Sequence, residues 1–160
     1  MPPAVAASPI YNIQAINTLL ASPVPQPLTS RIQLLSAKIH LLTNDPPSDP
    51  LSVLRTRREL GELYLKEKHD VKAAEIELSM VQRECKGIVK RIARERRLAQ
   101  EGKTAIKSQD EVMRDEEMES SAVNLRVESM RLLVQVEEEL GREGRAETWR
   151  KLIQDAGKTI

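Results

Sequence analysis

Between Val71 and Ile92 an apolar side chain returns at every third or fourth position: Val71, Ala74, Leu78, Val81, Cys85, Ile88 and Ile92. Alternating steps of three and four put all of these on one face of an α-helix. Glu95 interrupts the series and Ala99 resumes it, so the stripe lasts about four heptads, long enough to predict a coiled-coil-like seam. A second apolar series runs through Ala122, Leu125, Val127, Met130, Leu132, Leu133, Val134, Val136 and Leu140. Its arc is wide, which predicts a helix contacted on two sides. No stretch alternates with a period of two, so no strand is expected.

Proline sets the rhythm before the first seam. Ser8-Pro9 reads as a cap followed by Pro at the first helical position, opening a short helix with Ile10, Ile13, Ile16 and Leu20. Pro23-Val24-Pro25-Gln26-Pro27 ends it, since proline lacks a donor and restricts the residue before it. A second helix is expected from about Thr29 or Ser30, with Ile32, Leu35, Ile39 and Leu42 on one face, up to Asn44-Asp45-Pro46-Pro47. Ser48-Asp49-Pro50 then repeats the cap-and-proline start, and a third helix is expected to about Lys68. His69-Asp70 is a break, with Asp70 suited to cap the helix that carries the seam.

The segment from Gln100 to Ser121 is weakly patterned, a polar helix or a connection opening at Gly102. Gly141 and Gly144 are expected to close the second seam helix, before a short helix bearing Trp149, Leu152 and Ile153. The expected organisation is therefore a Pro-rich segment with two short helices (1–47), an antiparallel hairpin with the heptad seam (48–101), a charged connection or polar helix (102–121) and C-terminal helices (122–160). The expected class is all-α, an elongated bundle of coiled-coil-like antiparallel helices with short Pro-punctuated helices in front.

Composition sharpens this picture at one point. Apolar residues make up 40% of the 160 positions, but there is no Phe, and Tyr11, Tyr64 and Trp149 are the only aromatics. Aromatics bury the most area per residue; without them, Leu, Ile, Val, Met and Ala suit narrow helix–helix seams. The net charge of +1 gives no global attraction to nucleic acid or to anionic membrane. No apolar run nears the roughly 20 residues that span a bilayer. The first residues lack the basic region of a secretory signal, and the single cysteine forms no intrachain disulfide. Cytoplasm or nucleus is the expected location.

Leu60-Gly61-Glu62-Leu63-Tyr64, with Asp70 and Ala73 after it, resembles the first part of a tetratricopeptide repeat over about residues 57–85. The resemblance implies an antiparallel helix pair in which Gly61 allows close approach, and a peptide-binding adaptor role. Arg57 stands where the repeat has Trp, Glu77 where it has Phe, and Cys85 where it has Pro. A repeat length away in either direction the Leu-Gly pair becomes Gln26-Pro27 or Arg94-Glu95, so there is no array, and an ordinary tight αα-hairpin explains the residues better.

Little in the chain promises chemistry. Gly102-Lys103-Thr104 and Gly157-Lys158-Thr159 lack the earlier glycine and preceding strand that a phosphate-binding loop needs. His40, His69 and Cys85 match no zinc-ligand spacing. Cys85 falls on the seam, as a small buried hydrophobe rather than a nucleophile. The basic run Lys86, Lys90, Arg91, Arg94, Arg96, Arg97 has no aromatic interleaved for base stacking, and Glu95 sits within it. An acidic stretch from Asp110 to Glu119 could face it if the chain turns back near Gly102.

The expected function is accordingly that of a non-enzymatic scaffold or adaptor subunit, without cofactor, metal or small-molecule substrate, that binds other helical subunits. The residues expected to form partner interface or core are Val71, Ala74, Leu78, Val81, Cys85, Ile88 and Ile92 on one seam and Leu125, Met130, Leu133 and Val136 on the other, with Trp149 docking the last helix. A stripe looks the same whether its partner lies in the same chain or another. The alternatives are a peptide-binding adaptor and a nucleic-acid-associated subunit using residues 86–97, although nucleic acid is not the favoured partner.

Overall fold

The computed structural model describes residues 12–47 and 49–158, and these form an all-α bundle of six helices with no strand among them. They are α1 (Ile13–Leu20), α2 (Leu28–Asn44), α3 (Leu51–Leu63), α4 (Val71–Gln100), α5 (Gln109–Glu139) and α6 (Glu143–Lys158). The centre of the fold is the antiparallel pair α4 and α5, of 30 and 31 residues, each about 45 Å long. α3 packs along α4, α2 and α1 pack outside α3, and α6 folds back along α5.

Local chemistry explains the boundaries. Asn12 caps α1, its side chain accepting from the Ala15 N–H at 2.7 Å; the expected cap at Ser8-Pro9 lies outside the described residues. α2 begins at Leu28, directly after Pro27, with no side-chain cap. Asp49 accepts from the Leu51 N–H at 2.9 Å and holds Arg55 at 2.7 Å, fixing the start of α3. Burial opposes ionisation of its carboxyl, but these hydrogen bonds outweigh burial and keep its pKa below the ordinary value.

α3 does not run unbroken to Lys68. From Tyr64 to Lys68 it widens into a π-turn, and His69 closes it in the left-handed region at φ 57°. Asp70 then caps α4 by accepting from the Ala73 N–H at 3.1 Å, as its position in the sequence predicts.

Two glycines end the long helices in the same way. Gly102 (φ +71°) and Gly141 (φ +72°) take the left-handed conformation that glycine adopts without steric cost. After α4, the Lys103 N–H reaches the Leu98 carbonyl and the Gly102 N–H the Ala99 carbonyl. After α5, Arg142 reaches Glu137 and Gly141 reaches Glu138. Both are Schellman closures. Gly144, in contrast to the sequence expectation, takes no part in the turn: it lies inside α6, which opens at Glu143.

Of the two readings of the weakly patterned stretch, its larger part takes the polar-helix one. Residues 109–121 form no separate connection; they are the first turns of α5, continuous with its strongly apolar half. Ser108 caps it, accepting from the Glu111 N–H at 3.3 Å, with two acids in the first turn to complement the helix dipole.

Candidate functional site

The structure puts the predicted seam residues inside the chain's own core. Val81, Cys85, Ile88 and Ile92 of α4 join Leu51 and Leu54 of α3 and Ala122 and Leu125 of α5 in one cluster. Ala74 and Leu78 join Leu132, Leu133 and Val136 of α5 and Leu65 of the π-turn in a second, with Val71 and Trp149 partly buried against it. Met130 is also fully buried. Gly61 does permit close approach: a Cβ there would lie 2.8 Å from Leu78 Cγ. α5 is contacted on more than one side, by α4 and α6, as its wide arc predicts.

The resemblance at residues 57–85 resolves into an ordinary hairpin with polar substitutions. Arg57 and Glu77, at the positions where the repeat carries aromatics, form an ion pair at 3.0 Å across α3 and α4. The hairpin's sides are occupied within the chain. Leu35 and Ile39 of α2 cover Leu60 on one side, and Ala122 and Leu125 of α5 lie in the cluster with Leu51 and Leu54 on the other.

Cys85 is fully buried, and burial pushes its thiol up to about 12. The free thiol titrates near 9. Between those two values the unfolded chain releases a proton that the folded chain keeps, so stability falls as pH rises through that window. At pH 8 a thiol reagent should label the native protein far more slowly than the urea-unfolded chain, because the thiolate is the reactive form. Native labelling as fast as unfolded labelling would show an accessible thiolate instead.

A buried charge cluster locks the far end of the bundle and had no counterpart in the sequence expectations. Glu137 is fully buried, with Arg145 Nε at 3.3 Å and Arg142 Nη1 at 3.6 Å. Neither contact meets hydrogen-bond geometry, so the carboxylate is held by charge. Glu75 of α4 takes Arg142 at 2.8 Å and Arg145 at 3.5 Å. One arginine pair thus ties α4, α5 and the start of α6. Beside it, Arg150 of α6 gathers Glu138, Glu143 and Glu147, and these carboxylates raise its pKa.

The opposite end is built differently. Past α3 and α6, the tip of the α4–α5 hairpin carries exposed apolar side chains: Ile106 is 89% exposed, Met113 53% and Val112 41%. A groove of about 520 Å³ there is lined by Ala99, Ile106 and Val112 with a charged rim that includes Glu95, Arg96 and Asp115. Lys107 braces the rim, bonded to Glu95 at 3.0 Å and Asp115 at 2.5 Å, and both carboxylates raise its pKa. Arg96 reaches Glu119 at 3.2 Å, so the chain does turn back and bring part of the acidic stretch onto the basic run.

Among the described residues no group of three or more His, Cys, Asp or Glu could hold a metal ion, and no helix is long and apolar enough to cross a membrane. Comparison with protein-family models, curated proteins and solved structures found no match to this chain, the tetratricopeptide repeat included. The fold and its surfaces define the class: an all-α helical bundle.

Proposed function

We propose that this chain is a non-enzymatic scaffold or adaptor subunit that seats a helix of another protein on the tip of its α4–α5 hairpin. The observation that carries the reading is the contrast in burial. The heptad seams are satisfied within the chain, whereas Ile106 and Val112 stand exposed on the wall of one groove, with Met113 exposed next to Val112. An amphipathic helix that lays apolar residues into such a groove is a recurrent recognition mode. The braced rim of Lys107, Glu95 and Asp115 holds the groove's shape before a partner arrives, which lowers the ordering cost of binding. A peptide-binding role for the α3–α4 hairpin is supported less, since α2 and α5 already occupy its sides.

The test separates binding from folding. Ile106→Asp and Val112→Asp fall on exposed positions that line the groove, so the double variant should melt within about 2 °C of wild type, surface changes being worth little. Its affinity for proteins recovered with the wild-type chain should drop at least about tenfold, since placing charge in an apolar contact costs more than about 1.4 kcal/mol. An unchanged set of recovered proteins bound at unchanged affinity would show that the tip is not the seat.

A further inference from the structure

We infer that the outer face of α4 is a binding site for the phosphodiester backbone of nucleic acid, read without regard to base sequence. Arg83, Lys86, Lys90, Arg94 and Arg97 follow one another in steps of three, four, four and three, and all are exposed. That spacing lines them along one side of the helix over about 21 Å. It is the side opposite the buried seam of Val81, Cys85, Ile88 and Ile92. Arg91, also exposed, flanks the row.

The acids that interrupt this run in the sequence leave the face clear in three dimensions. Glu95 turns away to bind Lys107. Glu84 follows Arg83 but projects about 100° around the helix from it. Of the run singled out in the sequence, only Arg96 is spent on an internal ion pair, with Glu119. None of the cations in the row makes an ion pair or side-chain hydrogen bond among the described residues. Five like charges at helical spacing repel one another, an arrangement a fold gains nothing from unless an anion covers it.

The chemistry of the face selects the anion. Between the cations lie Gly87 and Ala93, and a Cβ at Gly87 would meet nothing within 4 Å. The nearest large exposed apolar side chain on α4 is Ile76, two turns before Arg83. A protein partner would find no apolar centre to bury, and exposed ion pairs between side chains contribute only about 0.2–1 kcal/mol each. An anionic bilayer would find no apolar stripe to insert. A phosphodiester backbone needs neither: its charge density is high, and each phosphate neutralised releases condensed counterions. With no aromatic on the face, bases are not stacked and sequence is not read.

The experiment is fluorescence anisotropy of the full chain with a labelled 30-base-pair duplex of random sequence, titrated between 50 and 200 mM KCl. The expected result is binding whose log K falls against log salt with a slope of about −3.6 to −4.5, from four or five phosphates at about −0.9 each. Arg83→Gln/Lys90→Gln/Arg94→Gln should lose at least about 30-fold at 50 mM KCl while its helical circular dichroism and melting are kept. Lys68→Gln/Arg131→Gln/Lys151→Gln removes the same charge elsewhere and should lose no more than about threefold, the general field alone being screened at this salt. No binding at 50 mM KCl, an equal loss in both triple variants, or tighter binding to poly-glutamate or phosphatidylserine vesicles than to the duplex would each overturn the assignment.

Discussion

Leu78→Asp should unfold the isolated chain. Leu78 is fully buried in the cluster formed by α4, α5 and the π-turn, and its side chain lies against Gly61 of α3. Burying an unpaired charge costs more than about 4 kcal/mol, and whole domains are stable by only about 5–15 kcal/mol. Circular dichroism at 25 °C should therefore show loss of most helix, or melting at least about 10 °C lower. A variant that melts with wild type would mean that α4 does not pack on α3 and α5 as described. Ile76→Asp, on the same helix but 64% exposed, should leave melting nearly unchanged.

The second large effect is expected at the charge cluster one turn along from Leu78, around Glu75 and Glu137. Arg142→Ala/Arg145→Ala strips Glu137 and Glu75 of their cations together. Breaking a buried pair by removing one partner costs about 3–5 kcal/mol, because the remaining charge stays buried. Both arginines are partly exposed, at 33% and 57%, so water softens the loss toward about 3 kcal/mol, or roughly 6–12 °C in Tm. Glu137→Met removes the charge and keeps the volume, and should cost far less or nothing. Equal losses in the two variants would show that shape, not charge, holds this corner.

These two sites also mark how far the sequence could be read. The core of α4 was legible because each of Ala74, Leu78, Val81, Cys85, Ile88 and Ile92 occupies a seam position that a single periodicity predicts. The breaks at His69-Asp70 and Gly141 were legible because cap and left-handed residues have local causes. The first turns of α5 were not, since exposed charges there hide the period; the signal present was Ser108 three residues before Glu111. Glu137 was illegible for another reason. An acid among apolar positions looks like a solvated residue until the fold returns Arg142 and Arg145 over it.

The candidate surfaces were less legible still. The basic run was visible, but a linear count mixes Arg96 and Glu95, which turn toward α5 and the loop, with the cations that face solvent. The seams read alike as interface or as core, because periodicity does not distinguish a helix of the same chain from a helix of another. Ile106 and Met113, isolated among charges, carried no pattern at all. Their significance comes from exposure at a tip where α3 and α6 no longer cover the hairpin.

The central claim is that α4 finds its seam partner, α5, within the same chain. The direct measurement is urea unfolding of the wild-type chain at 1 µM and at 100 µM. A seam satisfied within one chain gives one midpoint at both concentrations. A seam shared between chains makes stability depend on concentration by mass action, about 2.7 kcal/mol for a hundredfold change. Coincident midpoints are the result this account predicts; a midpoint that rises with concentration by that amount would contradict it.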